Sequence, residues 1–116
     1  MQLIKIDVDK IWSYQTLVFK NGKHTYRKQV YKDYIKEMYY KGINRLEKLE
    51  SRSISLKLTF YCKTRTVGDL DNIAKPVMDT LEHYGVIEND RYVTELSLKK
   101  IFGSDKNYIE IEIKEW

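Results

Sequence analysis

Residues 54–60 alternate between large apolar and polar side chains. Ile54, Leu56, Leu58 and Phe60 fall on one face, Ser55, Lys57 and Thr59 on the other. A period of two is the pattern of an extended strand with one face buried and one hydrated. The alternation rules out an all-helical chain and requires a sheet with something apolar against one side. A second alternation closes the chain, where Ile109, Ile111 and Ile113 alternate with Glu110, Glu112 and Lys114. Between and before these strands the period changes. Val30, Tyr34 and Met38 recur every four residues with Tyr31 and Ile35 beside them, and Ile73, Val77 and Leu81 repeat the pattern. These spacings predict amphipathic helices over about 28–42 and 72–84. Strands with one apolar face and two helices with one apolar stripe each imply an α+β domain, a mixed sheet with both helices packed on one face.

The remaining elements fit that frame. Residues 3–8 and 14–20 read as strands. Asn21-Gly22 is a strong hairpin signal that would return the chain through residues 24–27. Gly42 is placed to cap the first helix, residues 44–53 form a connection, and residues 63–69 have loop composition. Pro76 is expected in or near the first turn of the second helix, with Asn72 as its N-cap, and Gly85 should end it. Strands over about 93–102 and 108–113 follow, separated by a turn at 103–106. With 116 residues and no repeat, linker or low-complexity tract, the chain is expected to be one domain, 1–116.

Several classes of function are excluded early. Cys62 is the only cysteine, so no internal disulfide forms. With two histidines, His24 and His83, a Cys/His zinc site is ruled out. No apolar run approaches the roughly 20 residues of a membrane helix, and the first residues lack signal-peptide character. A soluble, cytoplasmic protein with no membrane partner is expected.

The formal charge of +4 conceals an uneven distribution. Residues 1–68 carry 15 Lys/Arg and 6 Asp/Glu, whereas residues 69–116 carry 6 and 11. A basic half joined to an acidic half suits a polyanion grip beside a carboxylate cluster, although folding can also intermix such charges into an ordinary solvated surface. Lys20, Lys23, Arg27, Lys28, Lys32, Lys63 and Arg65 flank the acidic segment and are candidates for phosphate contacts. Tyr31, Tyr34, Tyr39 and Tyr40 could stack on bases, but core or interface packing suits them better.

The acidic segment is Gly68-Asp69-Leu70-Asp71-Asn72-Ile73-Ala74-Lys75, followed later by Glu88-Asn89-Asp90-Arg91. In an extended segment Asp69 and Asp71 would point to the same side, and two such carboxylates repel unless a cation lies between them. Their hard oxygens suit Mg²⁺, with Mn²⁺ as a substitute, both of which accept phosphate oxygens. Lys75 follows Asp71 by four residues, on the helix side that carries Asp79, and Asp90 returns toward the same place. Each feature alone has a plain reading: turn-forming aspartates, and an i,i+4 ion pair worth a few tenths of a kcal/mol. Their combination is the informative signal.

These residues together resemble the RusA family of Holliday-junction endodeoxyribonucleases, which has an Asp-x-Asp-Asn segment, a Lys four residues after its second Asp, and a later acidic pair before a strand. The match runs through Asp69, Asp71, Asn72, Lys75, Asp79, Leu81, Asp90 and Val93. Asn89 departs from it, standing where the family has the first acid of the later pair. Ile11-Trp12-Ser13-Tyr14 also replaces an Asn-containing segment. The resemblance implies a homodimer that cuts four-way or other branched DNA in a Mg²⁺-dependent reaction and uses no nucleotide cofactor. Asp69, Asp71 and Asp90 would hold metal and Lys75 would support catalysis. A non-catalytic DNA-binding protein of the same fold is the competing expectation. A nucleotidyltransferase is disfavoured because no Gly-Ser helix precedes the acids.

Overall fold

A computed structural model describes all 116 residues. The chain runs β1 (Gln2–Asp7), α1 (Tyr14–Leu17), β2 (Val18–Asn21), β3 (His24–Arg27), α2 (Gln29–Lys41), β4 (Ile54–Cys62), α3 (Leu70–His83), β5 (Val93–Phe102) and β6 (Tyr108–Glu115), with 3₁₀ turns at Ile43–Arg45 and Asp90–Tyr92. Four strands form a mixed sheet in the order β1-β6-β4-β5, and β2 pairs with β3 in a separate two-stranded ribbon. β1–β6 and β6–β4 are antiparallel, while β4 and β5 are parallel. A parallel pair needs a crossover, and α3 supplies it. The α+β expectation, with a mixed sheet and two main helices, holds.

Register explains the core. Leu56, Leu58 and Phe60 of β4 lie opposite Ile113, Ile111 and Ile109 of β6, whose other neighbours include Ile4 and Ile6 of β1. This apolar face joins Tyr31, Tyr34, Ile35 and Met38 of α2 and Ile73, Val77 and Leu81 of α3 in one buried cluster. The opposite face is polar. Lys57 pairs with Glu112, Thr59 with Glu110, and Ser55 donates to Glu95 Oε1. β4 is nevertheless buried on most of both faces, because strands flank it on each side and Tyr61 stacks on Tyr108 at 4.2 Å.

Three local readings are corrected by the structure. Residues 14–20 are not one strand, because Tyr14–Leu17 forms a helical turn before β2. Its Thr16 hydroxyl and amide both donate to Ser13 O, and the turn allows the consecutive Leu17 and Val18 both to be buried, which strict alternation forbids. Helix α3 begins at Leu70, not Asn72, so Asp69 occupies the N-cap position. Pro76 is therefore the seventh residue of α3 and lies in its interior, where its missing N–H leaves Asn72 O without a helical donor. The caps at Gly42 and Gly85 are where expected. Gly85 adopts φ +75, which suits glycine. Gly42 has extended backbone, and the demand there is space: a Cβ would lie 2.8 Å from Ile6 Cγ1.

Candidate active site

The site is assembled around the first two turns of α3. Asp69 has extended backbone at φ −64, ψ 153 and its side chain makes no capping hydrogen bond. Asp71 falls in the first helical turn, where a negative charge is favoured by the helix dipole. The two acids therefore do not share one face of an extended segment as the sequence suggested. Both are exposed and neither has an ion-pair partner. The loop that carries them is anchored on each side of Gly68: Lys100 Nζ donates to Gly68 O at 3.1 Å, and the glycine packs against Ser13.

One turn further on, Lys75 is the hub of a charged network. Its Nζ donates to Asp79 Oδ1 at 2.8 Å and lies 3.6 Å from Asp90 Oδ2. Asp79 is 5% exposed. Its other oxygen accepts from the Tyr31 hydroxyl and lies 3.6 Å from Arg27 Nη2. Arg27 also sits over the Tyr31 ring, 4.8 Å from its centroid. Burial disfavours the Lys75 ammonium, but the Asp79 hydrogen bond and the charges of Asp79 and Asp90 outweigh it and hold the pKa above the ordinary lysine value. Burial, reinforced by Asp79, pushes the Tyr31 phenol up as well, so Tyr31 is a neutral donor.

Asp90 opens the 3₁₀ turn before β5. Its amide donates to Glu82 Oε1 at 3.2 Å, and the Asn89 side chain accepts from Arg91 N at 3.0 Å. Asn89, the departure noted in the sequence, thus caps the turn that presents Asp90.

The structure brings Lys75 and Asp90 together but does not gather Asp69, Asp71 and Asp90 into one cluster. No group of three or more His, Cys, Asp or Glu side chains is arranged to hold a metal ion. Asp69 and Asp71 nonetheless suit a hard divalent cation in their chemistry, since Mg²⁺ is commonly bound by one or two carboxylates plus substrate phosphate and water. Asp90, as placed, is committed to Lys75.

The basic candidates divide by environment. Lys20 and Lys23 project from the β2–β3 ribbon without an ion-pair partner, whereas Arg27 is drawn to Asp79 and Lys28 Nζ donates to Thr16 O at 2.9 Å. Lys63 and Arg65 are exposed in the loop leading to Asp69. Arg65 lies over the Phe102 ring at 5.0 Å, and the Lys63 amide donates to Asn107 Oδ1. Arg27 and Lys32, both candidates from the sequence, also line an open, anion-suited groove with Lys36, His83 and Tyr84, which sequence reasoning did not single out. Tyr31 and Tyr34 are buried and Tyr39 stacks on Tyr84 at 3.8 Å, as packing residues do.

A crossover helix headed by free carboxylates, with a fixed ammonium one turn on and cationic surface on either side, defines a domain suited to phosphodiester chemistry. The family model of the endodeoxyribonuclease RusA matches residues 11–114, and the chain belongs to that family. No curated protein matches the sequence.

Proposed function

We propose that this endodeoxyribonuclease resolves four-way DNA junctions by paired, symmetric phosphodiester hydrolysis, acting as a homodimer with Mg²⁺ or Mn²⁺. The observation that carries this reading is the placement of Lys75, fixed between Asp79 and Asp90 on the helix that Asp71 heads. Asp69 and Asp71 would hold the cation together with the scissile phosphate, and Asp90 would complete the set on releasing Lys75. When bound, the cation polarises the phosphate and favours hydroxide formation near neutral pH. Lys75 supplies positive charge where negative charge develops on the phosphate and the departing oxygen. Its pKa, raised by its carboxylate partners, keeps that charge in place at neutral and mildly alkaline pH. Lys20, Lys23, Lys63 and Arg65 position the arms through backbone phosphates, contacts that are blind to sequence. A two-fold junction needs two incisions, which a two-fold dimer presents as two identical sites.

The test is incubation of a synthetic four-way junction and a linear duplex of the same arms, with and without Mg²⁺. Metal-dependent nicks on two opposing strands of the junction alone support the proposal. The competing reading, a junction-binding protein that does not cut, is favoured by the ungathered carboxylates. It predicts a gel shift with no nick at any Mg²⁺ or Mn²⁺ concentration.

A further inference from the structure

We propose that the β2–β3 ribbon stacks Phe19 and Tyr26 on base faces exposed at a DNA branch point, and that this contact sets the preference for branched over linear DNA. The inference rests on the reading above that the protein acts on branched DNA. Phe19 and Tyr26 are direct cross-strand partners, with ring centroids 5.2 Å apart and planes 22° from parallel. They remain 51% and 44% exposed, and the His24 ring lies 6.1 Å from Tyr26 on the same side. The base of the ribbon is tied to the body of the protein: Val18 is buried and its partner Arg27 reaches Asp79. The ring pair is therefore held at a fixed offset from Lys75 rather than carried on a free loop.

Charge identifies the occupant. From Lys10 to Lys32 the chain has six Lys/Arg and no Asp or Glu. Exposed rings on a segment this rich in lysine and arginine are a poor protein–protein core, where lysine is depleted, and a good surface for a polyanion that also offers π faces. In a continuous duplex every base face is covered by its neighbour. At a branch, the terminal pair of each arm presents a face, and that face is what two stackable rings can cover. Phe19 also lines a cavity of about 300 Å³ with Tyr14, Lys20 and Asn72, so the ribbon adjoins the head of α3 next to Asp71.

The experiment uses the full chain and a four-way junction carrying 2-aminopurine at the branch, with a linear duplex of the same arms, in the absence of divalent metal. Wild type should change the 2-aminopurine emission on binding and prefer the junction. In Phe19→Ala/Tyr26→Ala the emission change should be lost and the junction-to-duplex affinity ratio should fall by about tenfold, the scale of a lost base–aromatic stack. Phe19→Leu/Tyr26→Leu, which keeps apolar bulk on the ribbon, should show the same loss, and Phe19→Tyr/Tyr26→Phe should restore it. Wild-type preference that survives both the alanine and leucine pairs overturns the inference alone. Absence of any wild-type preference overturns the functional reading and this inference together. A drop in sedimenting mass on substitution would assign the rings to contact with a second copy of the chain, which also overturns it.

Discussion

Lys75 Nζ and Asp79 Oδ1 are 2.8 Å apart, four residues along one helix, yet the aspartate is 5% exposed and the lysine side chain 42%. The pair is therefore not an ordinary surface i,i+4 contact. Asp79 is taken out of water and satisfied from two helices and the ribbon, by hydrogen bonds from Lys75 and the Tyr31 hydroxyl and by the nearby charge of Arg27. It couples the packing of α2 on α3 to the position of the one ammonium beside Asp90.

Replacing Asp79 with Asn keeps an acceptor for Tyr31 but removes the charge that holds Lys75 and Arg27. Both cations are partly exposed, so solvent moderates the loss, and a destabilisation of about 1–2 kcal/mol is expected. Asp79→Leu also strands the buried Tyr31 hydroxyl and should cost about 1–3 kcal/mol more. Urea midpoints at constant m-value measure both. Equal midpoints for wild type and Asp79→Leu would contradict the network.

The raised pKa of Lys75 has a definite sign in linkage. Folding favours the protonated form, so this stability is fully present below the unfolded lysine value of about 10.4 and fades as pH rises through the higher folded value. Between pH 6 and 9 neither stability nor cleavage should show a step from this group. Lys75→Ala should lower the cleavage rate by about 10²–10³, the loss typical of one preorganised charge or donor. The shape of its pH profile over that range should match wild type. A titration step near pH 8 that vanishes in Lys75→Ala would show instead that the lysine works as a neutral base.

Much of the scaffold could be read from periodicity, because β4, β6, α2 and α3 each bury a single face and leave a regular trace. What escaped was set by contacts between distant segments. Tyr14-Gln15-Thr16-Leu17 looks extended until Leu17 and Val18 must both be buried, and that demand comes from the core rather than from the tetrapeptide. The start of α3 was displaced because Asn72 is a good cap in isolation, whereas Asp69 has the extended backbone that precedes the helix. Asp79 was visible as a member of the motif but its burial was not. The partners that make burial tolerable, Tyr31 and Arg27, come from more than 45 residues earlier. Phe19 and Tyr26 likewise gain meaning only once β2 and β3 are paired, because the pairing alone sets their rings side by side.

Asp71 has no ion-pair partner and sits on the exposed side of α3, so Asp71→Asn should leave the urea midpoint near wild type. Cleavage should be lost, while junction affinity in metal-free buffer is unchanged or tighter, since a negative charge leaves the phosphate path. Mg²⁺ should raise the melting temperature of wild type and not of Asp71→Asn, a readout independent of turnover. Full cleavage by the variant would remove Asp71 from the chemistry.

The ribbon lysines and Arg27 should separate in a salt titration. Lys20 and Lys23 have no partner in the protein, so each of Lys20→Gln and Lys23→Gln that removes a phosphate contact should reduce the slope of log K against log salt by about 0.9. Arg27→Gln should in addition lower stability, because Asp79 loses a cation. Filter binding from 50 to 300 mM salt, paired with denaturation, distinguishes the two behaviours. Identical slopes for wild type and the Lys20/Lys23 double variant would exclude the ribbon from the DNA path.

Gly68 precedes the first acid and is the point where the acidic loop meets the N-terminal segment. A Cβ there would lie 2.9 Å from Ser13 Cβ and 3.0 Å from its Oγ, and 3.4 Å from a methyl of Ile73. Ser13 is the residue before α1, and its carbonyl accepts two bonds from Thr16, so it has little freedom to retreat. The loop must give way instead, straining the Lys100 bond to Gly68 O and shifting Asp69 relative to Asp71. Gly68→Ala should therefore cost about 1–3 kcal/mol of stability, as overpacking does, and reduce cleavage beyond what the population of folded protein explains. Cleavage normalised to the folded fraction, measured alongside Ser13→Gly/Gly68→Ala, checks the cause. Removing the Ser13 side chain should return both stability and activity toward wild type. A double variant no better than Gly68→Ala would place the constraint elsewhere.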